Sequence, residues 1–86
     1  MKRTILRIPA VKSESGLSRS TLYNRIAQGL WTKPVKLGAR ASGWPSDEVE
    51  AINAARIAGK SDEEIRALVK GLEAARKTAA QALGPS

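Results

Sequence analysis

Apolar residues come along this chain in short clusters divided by Gly, Pro and Ser, and the spacing within each cluster predicts an element. Thr4–Leu6 reads as a short extended run. Pro9 suits the first turn of a helix, where a missing N–H costs nothing, and Gly16 suits its stop, so a first helix is expected over Pro9–Ser15. Ser18 has the chemistry of an N-cap for a second helix, Arg19–Gln28, that ends at Gly29. Leu22 and Ile26, at i and i+4, form its narrow apolar stripe, and Ser20, Tyr23 and Asn24 turn away from it. With so few anchors, this helix is suited to presenting its other face.

From Lys33 the period changes to two. Val35 and Leu37 alternate with Lys36, and the Gly-containing stretch before Trp44 predicts a β-hairpin whose loop carries Arg40. Pro45 and a capping Ser46 open a third helix, Asp47–Ala58, with Asp47, Glu48 and Glu50 near its positive end and Val49 and Ile52 as core anchors. Ser61–Glu64 is a capping box for a last helix of about 20 residues. Its stripe of Ile65, Leu68, Leu72, Ala75, Ala79 and Ala82, widened by Val69 and Leu83, must be covered, either by a second protomer or by its own domain. Ile65, Leu68, Val69 and Leu72 are therefore the candidate oligomer contacts.

The order helix, helix, hairpin, helix is that of a winged helix-turn-helix. The expected fold is mainly α with a small β-hairpin wing. Residues 1–58 would form the DNA-binding unit, and residues 59–86 an added C-terminal helix for packing or oligomerisation.

Composition narrows the function classes. The chain has 86 residues, with no Cys and no His, so disulfides, thiolate or imidazole zinc sites and His-based acid–base chemistry are excluded. Neither a Gly-rich phosphate loop nor paired carboxylates in apolar surroundings are present, and no catalysis, cofactor, metal or small-molecule ligand is expected. The longest apolar run is three residues, too short for a membrane span, and a cytoplasmic protein is the expectation. Trp31 and Trp44 flank alternating apolar residues in a chain without Phe, which marks them as core.

Charge changes the picture more. The net charge is +7, yet residues 1–45 hold nine basic residues against Glu14 alone, a net of +8, while residues 46–86 hold six basic and seven acidic, a net of −1. A one-sided basic field is the footprint of a polyanion binder, here double-stranded DNA. The second helix then becomes the recognition helix, with Arg19, Ser20, Thr21, Tyr23, Asn24 and Arg25 as candidate contacts. Tyr23 also fits a core edge, and Arg25 suits a phosphate or solvent better than a base. Lys33, Lys36 and Arg40 fit a wing laid along the backbone or minor groove. Lys2, Arg3 and Arg7 fit a basic arm, with an ordinary disordered terminus as the alternative.

Four segments, Ile5–Val11, Gly16–Tyr23, Lys33–Gly38 and Gly43–Glu50, closely resemble the AlpA family of phage and mobile-element regulators. That family is related to excisionases and to MerR-type winged helix-turn-helix proteins. The resemblance covers residues 4–58 and carries GLSRSTLY, KPVKLG and GWP in that order. The family commonly has Arg after the Tyr of its SRSTLY motif, where this chain has Asn24 followed by Arg25. The resemblance implies a DNA-binding protein that acts as an excisionase, coating or bending attachment-site DNA to direct an integrase, or that regulates transcription alone. Cooperative self-association on DNA is expected because one short site offers a small domain limited specificity. A protein-interaction module, such as an antitoxin or adaptor whose last helix docks in a partner groove, is the alternative of another class.

Overall fold

Local signals set each helix in place to within one residue of expectation. The computed structural model describes residues 4–39 and 41–83, with side chains described as far as Arg76. Helix α1 spans Ile8–Ser15 and ends at Gly16, whose N–H still donates to the Lys12 carbonyl and whose φ of 72° turns the chain out of the helix. Helix α2 spans Arg19–Ala27, and α3 spans Ser46–Ile57. Helix α4 runs Asp62–Leu83. The expected capping box is formed at α4: Ser61 N–H donates to Glu64 Oε1 at 3.1 Å, and Glu64 N–H donates to Ser61 Oγ at 3.2 Å. The Ser61 backbone bond, then the Ser61 hydroxyl and Lys60, hold the Glu64 carboxyl below its ordinary value. A lowered folded value means that the box supports the helix at neutral pH and loses that support as pH falls through the lowered value.

The sheet has one strand more than the hairpin requires. Strand β1 (Ile5–Leu6) pairs antiparallel with β3 (Ser42–Pro45), which also pairs with β2 (Val35–Lys36), giving the order β1-β3-β2. The register sets Leu6 opposite Trp44 and Ile5 opposite Pro45. One step further, Ser46 N–H donates to the Thr4 carbonyl at 2.7 Å, and Thr4 N–H donates to Ser46 Oγ at 3.0 Å. This corrects the reading of Ser46 as a cap. Pro45 is the capping residue, and Ser46 is the first helical residue, its hydroxyl already engaged by β1.

The two strands meet over Gly43 because nothing larger fits there. A Cβ on Gly43 would lie 2.6 Å from Ile5 Cγ2 and 2.9 Å from the Leu6 carbonyl oxygen, and the second obstacle is backbone. Gly43→Ala is expected to cost about 2 kcal/mol and to lower Tm by roughly 10 °C, read by thermal unfolding.

Val11, Leu22, Leu30, Trp31, Trp44, Val49, Ile52, Ile65 and Val69 form one core. Both tryptophans are buried, as their setting predicted, and Trp44 Nε1 donates to the Thr32 carbonyl at 2.8 Å. The α4 stripe joins this same core. Ile65 and Val69 have 0% and 4% of their surface exposed, and Leu68 and Leu72 pack against them half-buried. Ile65 and Val69 are thereby corrected as candidate oligomer contacts: side chains buried inside their own domain have no surface to offer a second protomer. The stripe beyond Arg76, with Ala79, Ala82 and Leu83, lies outside the described side chains.

Candidate nucleic-acid interface

Helix α2 is fixed at both its cap and its inner face. The Ser18 hydroxyl accepts from Thr21 N–H at 3.2 Å and donates to Thr21 Oγ1 at 2.9 Å. Thr21 is half-buried and its hydroxyl is engaged in the cap, whereas Arg19, Ser20, Tyr23 and Asn24 of the candidate contact set are exposed. Leu22 is fully buried and Ile26 half-buried, and at 100° per residue this turns exposed Ser20, Asn24 and Ala27 outward.

Arg19 and Tyr23 occupy one flank of that face. The Arg19 guanidinium carbon lies 5.8 Å from the Tyr23 ring centroid, and Tyr23 meets buried Trp44 edge-on at 6.4 Å between centroids, with the planes at 69°. Tyr23 thus has one edge on the core and 38% of its surface exposed. The stack runs from the core outward and limits the freedom of the arginine at its end. Arg7 joins this group, because Arg7, Pro9, Arg19, Tyr23 and Ser42 line one depression between α1, α2 and β3. Lys2 and Arg3 lie outside the described residues, as does Arg40.

Arg25 projects from the opposite flank, where it is half-buried in a cleft with Glu14, Trp31, Asn53 and Arg56. Lys36 is exposed on β2 opposite Ser42. Lys33, exposed at the base of the hairpin, lines a depression with Gln28, Gly29, Arg66, Lys70 and Glu73. Arg66 and Lys70 come from the nearly neutral half of the chain and were not legible as neighbours of this surface. Their i, i+4 spacing marks a common face of α4, but the face becomes relevant only because α4 folds back.

Pairing sharpens the charge asymmetry. Among the described residues Arg7, Arg25, Lys33 and Lys36 make no ion pair, whereas Arg56 binds Asp62 at 3.2 Å, Lys60 lies 3.8 Å from Glu64, and Arg76 binds Glu48 at 2.6 Å. Among the same residues Arg66 and Lys70 of α4 make no ion pair either, so the unpaired cations are mostly those of the N-terminal half, joined beside Lys33 by these two, and an external polyanion would meet them. Glu48 is the residue whose setting was least foreseeable. It is 1% exposed, and both of its oxygens accept from the Arg76 guanidinium, at 2.6 and 2.7 Å. No helix among the described residues is long and apolar enough to cross a membrane.

Two short helices joined by a tight turn, then a hairpin and a third helix, give this protein the mainly helical architecture of a winged helix-turn-helix. The chain belongs to the AlpA family, that of the prophage CP4-57 regulatory protein, whose sequence model matches residues 4–56. Over 55 residues it is 46% identical to an uncharacterized protein, ORF88, of Enterobacteria phage P4; the match covers 64% of this chain and 62% of that protein. No solved structure matches the chain. The family match ends within α3, so α4 lies outside it.

Proposed function

We propose that the protein binds double-stranded DNA sequence-specifically and, as an excisionase of a mobile genetic element, bends or coats attachment-site DNA so that an integrase proceeds to excision. It acts in the bacterial cytoplasm, without catalysis of its own, and neighbouring protomers bind cooperatively. The observation that carries the reading is the α2 face: Arg19 held on Tyr23, Tyr23 held on Trp44, and Ser20 and Asn24 exposed beside them. Side chains at the start and outer face of a second helix are those that reach base edges in the major groove. Regulation of transcription alone is the second reading, favoured by the regulatory description of the family.

Duplex binding as a function of salt and substitution tests the first step. Affinity should fall steeply with salt, with a log–log slope of about −0.9 per phosphate contacted. Tyr23→Ala and Asn24→Ala should erode preference for the selected site by about 1–3 kcal/mol each. Lys36→Ala and Arg40→Ala should weaken binding to all duplexes alike and reduce the salt slope by about 1 each. A salt-insensitive affinity would remove the basic-face reading, and the reverse mutational pattern would exchange the roles of helix and wing. Recombination with the element's integrase separates the two readings: excision that rises when the protein is added supports the excisionase, and unchanged excision with a repressed promoter supports the regulator.

A further inference from the structure

The segment joining the recognition helix to the wing is Gln28–Lys33, and α4 holds it at both ends. Arg66 Nε donates to the Gln28 carbonyl at 2.9 Å, where α2 finishes. Lys33 N–H donates to Glu73 Oε2 at 2.8 Å, and the Lys33 carbonyl accepts from Arg76 Nη2 at 2.7 Å. Both backbone groups of a single residue are thus gripped by side chains one helical turn apart on α4. Arg76 is itself fixed by the buried Glu48 of α3. Between the two ends, Leu30, Trp31 and Thr32 are buried, and the Thr32 carbonyl takes the Trp44 indole bond. From Arg66 to Arg76 the helix rises about 15 Å, so its grips on the two ends of the connector are separate.

We propose that α4 is a strut that sets the wing relative to the recognition helix, with Glu73 and Arg76 as positioning residues for Lys33. The proposal rests on the DNA-binding reading above. A short connector between two DNA-contacting elements leaves their relative placement to its own backbone torsions unless something outside spans it. Here a rigid helix does so, through two arginines and a carboxylate. Neither Glu73 nor Arg76 needs to touch DNA: they fix the point from which Lys33 and the first wing strand start. Glu73 is the informative member, because its bond lies at the surface and its loss leaves the core and the Glu48–Arg76 pair in place.

The test uses the full chain, a duplex selected by the wild-type protein from a random pool, and the variants Glu73→Ala and Glu73→Gln. Glu73→Ala should speed exchange of the Lys33 amide while the Leu22 and Ile52 amides keep wild-type protection. Its affinity should fall by several-fold and at most about tenfold, the cost of ordering a loosened Lys33 on binding, on selected and unrelated duplexes alike. Backbone protection at the flanks of the footprint should be lost while guanine protection at its centre stays. Glu73→Gln, which keeps an acceptor oxygen, should restore both readouts. Unchanged Lys33 exchange and an unchanged footprint in Glu73→Ala would overturn the proposal. So would a uniform loss of protection across the whole chain, because that describes a stability role alone. A wild-type chain that protects no duplex overturns the DNA-binding reading itself, and is recognised without any variant.

Discussion

Trp44→Ala is expected to leave the chain largely unfolded at 37 °C. Trp44 has no exposed surface, its indole N–H holds the Thr32 carbonyl, its edge meets Tyr23, and its strand position faces Leu6 of β1. One side chain therefore ties together the connector, α2 and two strands. Truncating a buried Trp costs about 3–5 kcal/mol, which is most of the stability of a domain this small. Trp44→Phe keeps most of the volume but leaves a buried carbonyl without its donor, and should cost about 1–3 kcal/mol. Urea titrations followed by far-UV circular dichroism measure both, with Trp31 remaining as a fluorescence reporter. A midpoint that barely moves in Trp44→Ala would mean that the core closes without it, contrary to the packing described above.

The second large effect is expected from Arg76→Ala. It removes the guanidinium that grips both oxygens of Glu48, a carboxylate 1% exposed, and at the same time frees the Lys33 carbonyl. Breaking a buried pair from one side costs more than the pair is worth, and a loss of about 3 kcal/mol is expected. The double variant Glu48→Gln/Arg76→Ala should recover part of that loss, because the neutral amide no longer carries a charge into the interior. Strict additivity of the two single losses in chemical denaturation would show that the residues are not coupled. Lys60, whose ion pair with Glu64 lies at the surface, is the comparison: Lys60→Ala should change stability by less than about 1 kcal/mol.

How much of this was legible depends on how far along the chain each determinant lies from its partner. The Ser18 cap, the Gly16 stop and the Ser61–Glu64 box act within four residues, and all three stand where the sequence pattern places them. Ser46 shows the limit. Its local setting is that of a cap, yet its hydroxyl serves Thr4, 42 positions away, because β1 returns along β3. The candidate interface divides in the same way. That Arg19, Ser20, Tyr23 and Asn24 belong to one short helix facing outward followed from Leu22 and Ile26. That Arg19 rests on Tyr23 and Tyr23 on Trp44 required the sheet to be folded beneath the helix. Arg66, Lys70 and Glu73 carried no mark of proximity to Lys33, since nothing in their own helix states which surface it will meet.

Helix ends, the hairpin, the tryptophans as core and the segregation of charge were all written in neighbouring residues, because capping, helical and strand periodicity and composition are properties of short stretches. The third strand, the burial of Ile65 and Val69, the Glu48–Arg76 pair and the grip of α4 on Lys33 came from the meeting of distant faces. Burial of the α4 stripe against the core selects that meeting, and it is settled once the whole chain has closed.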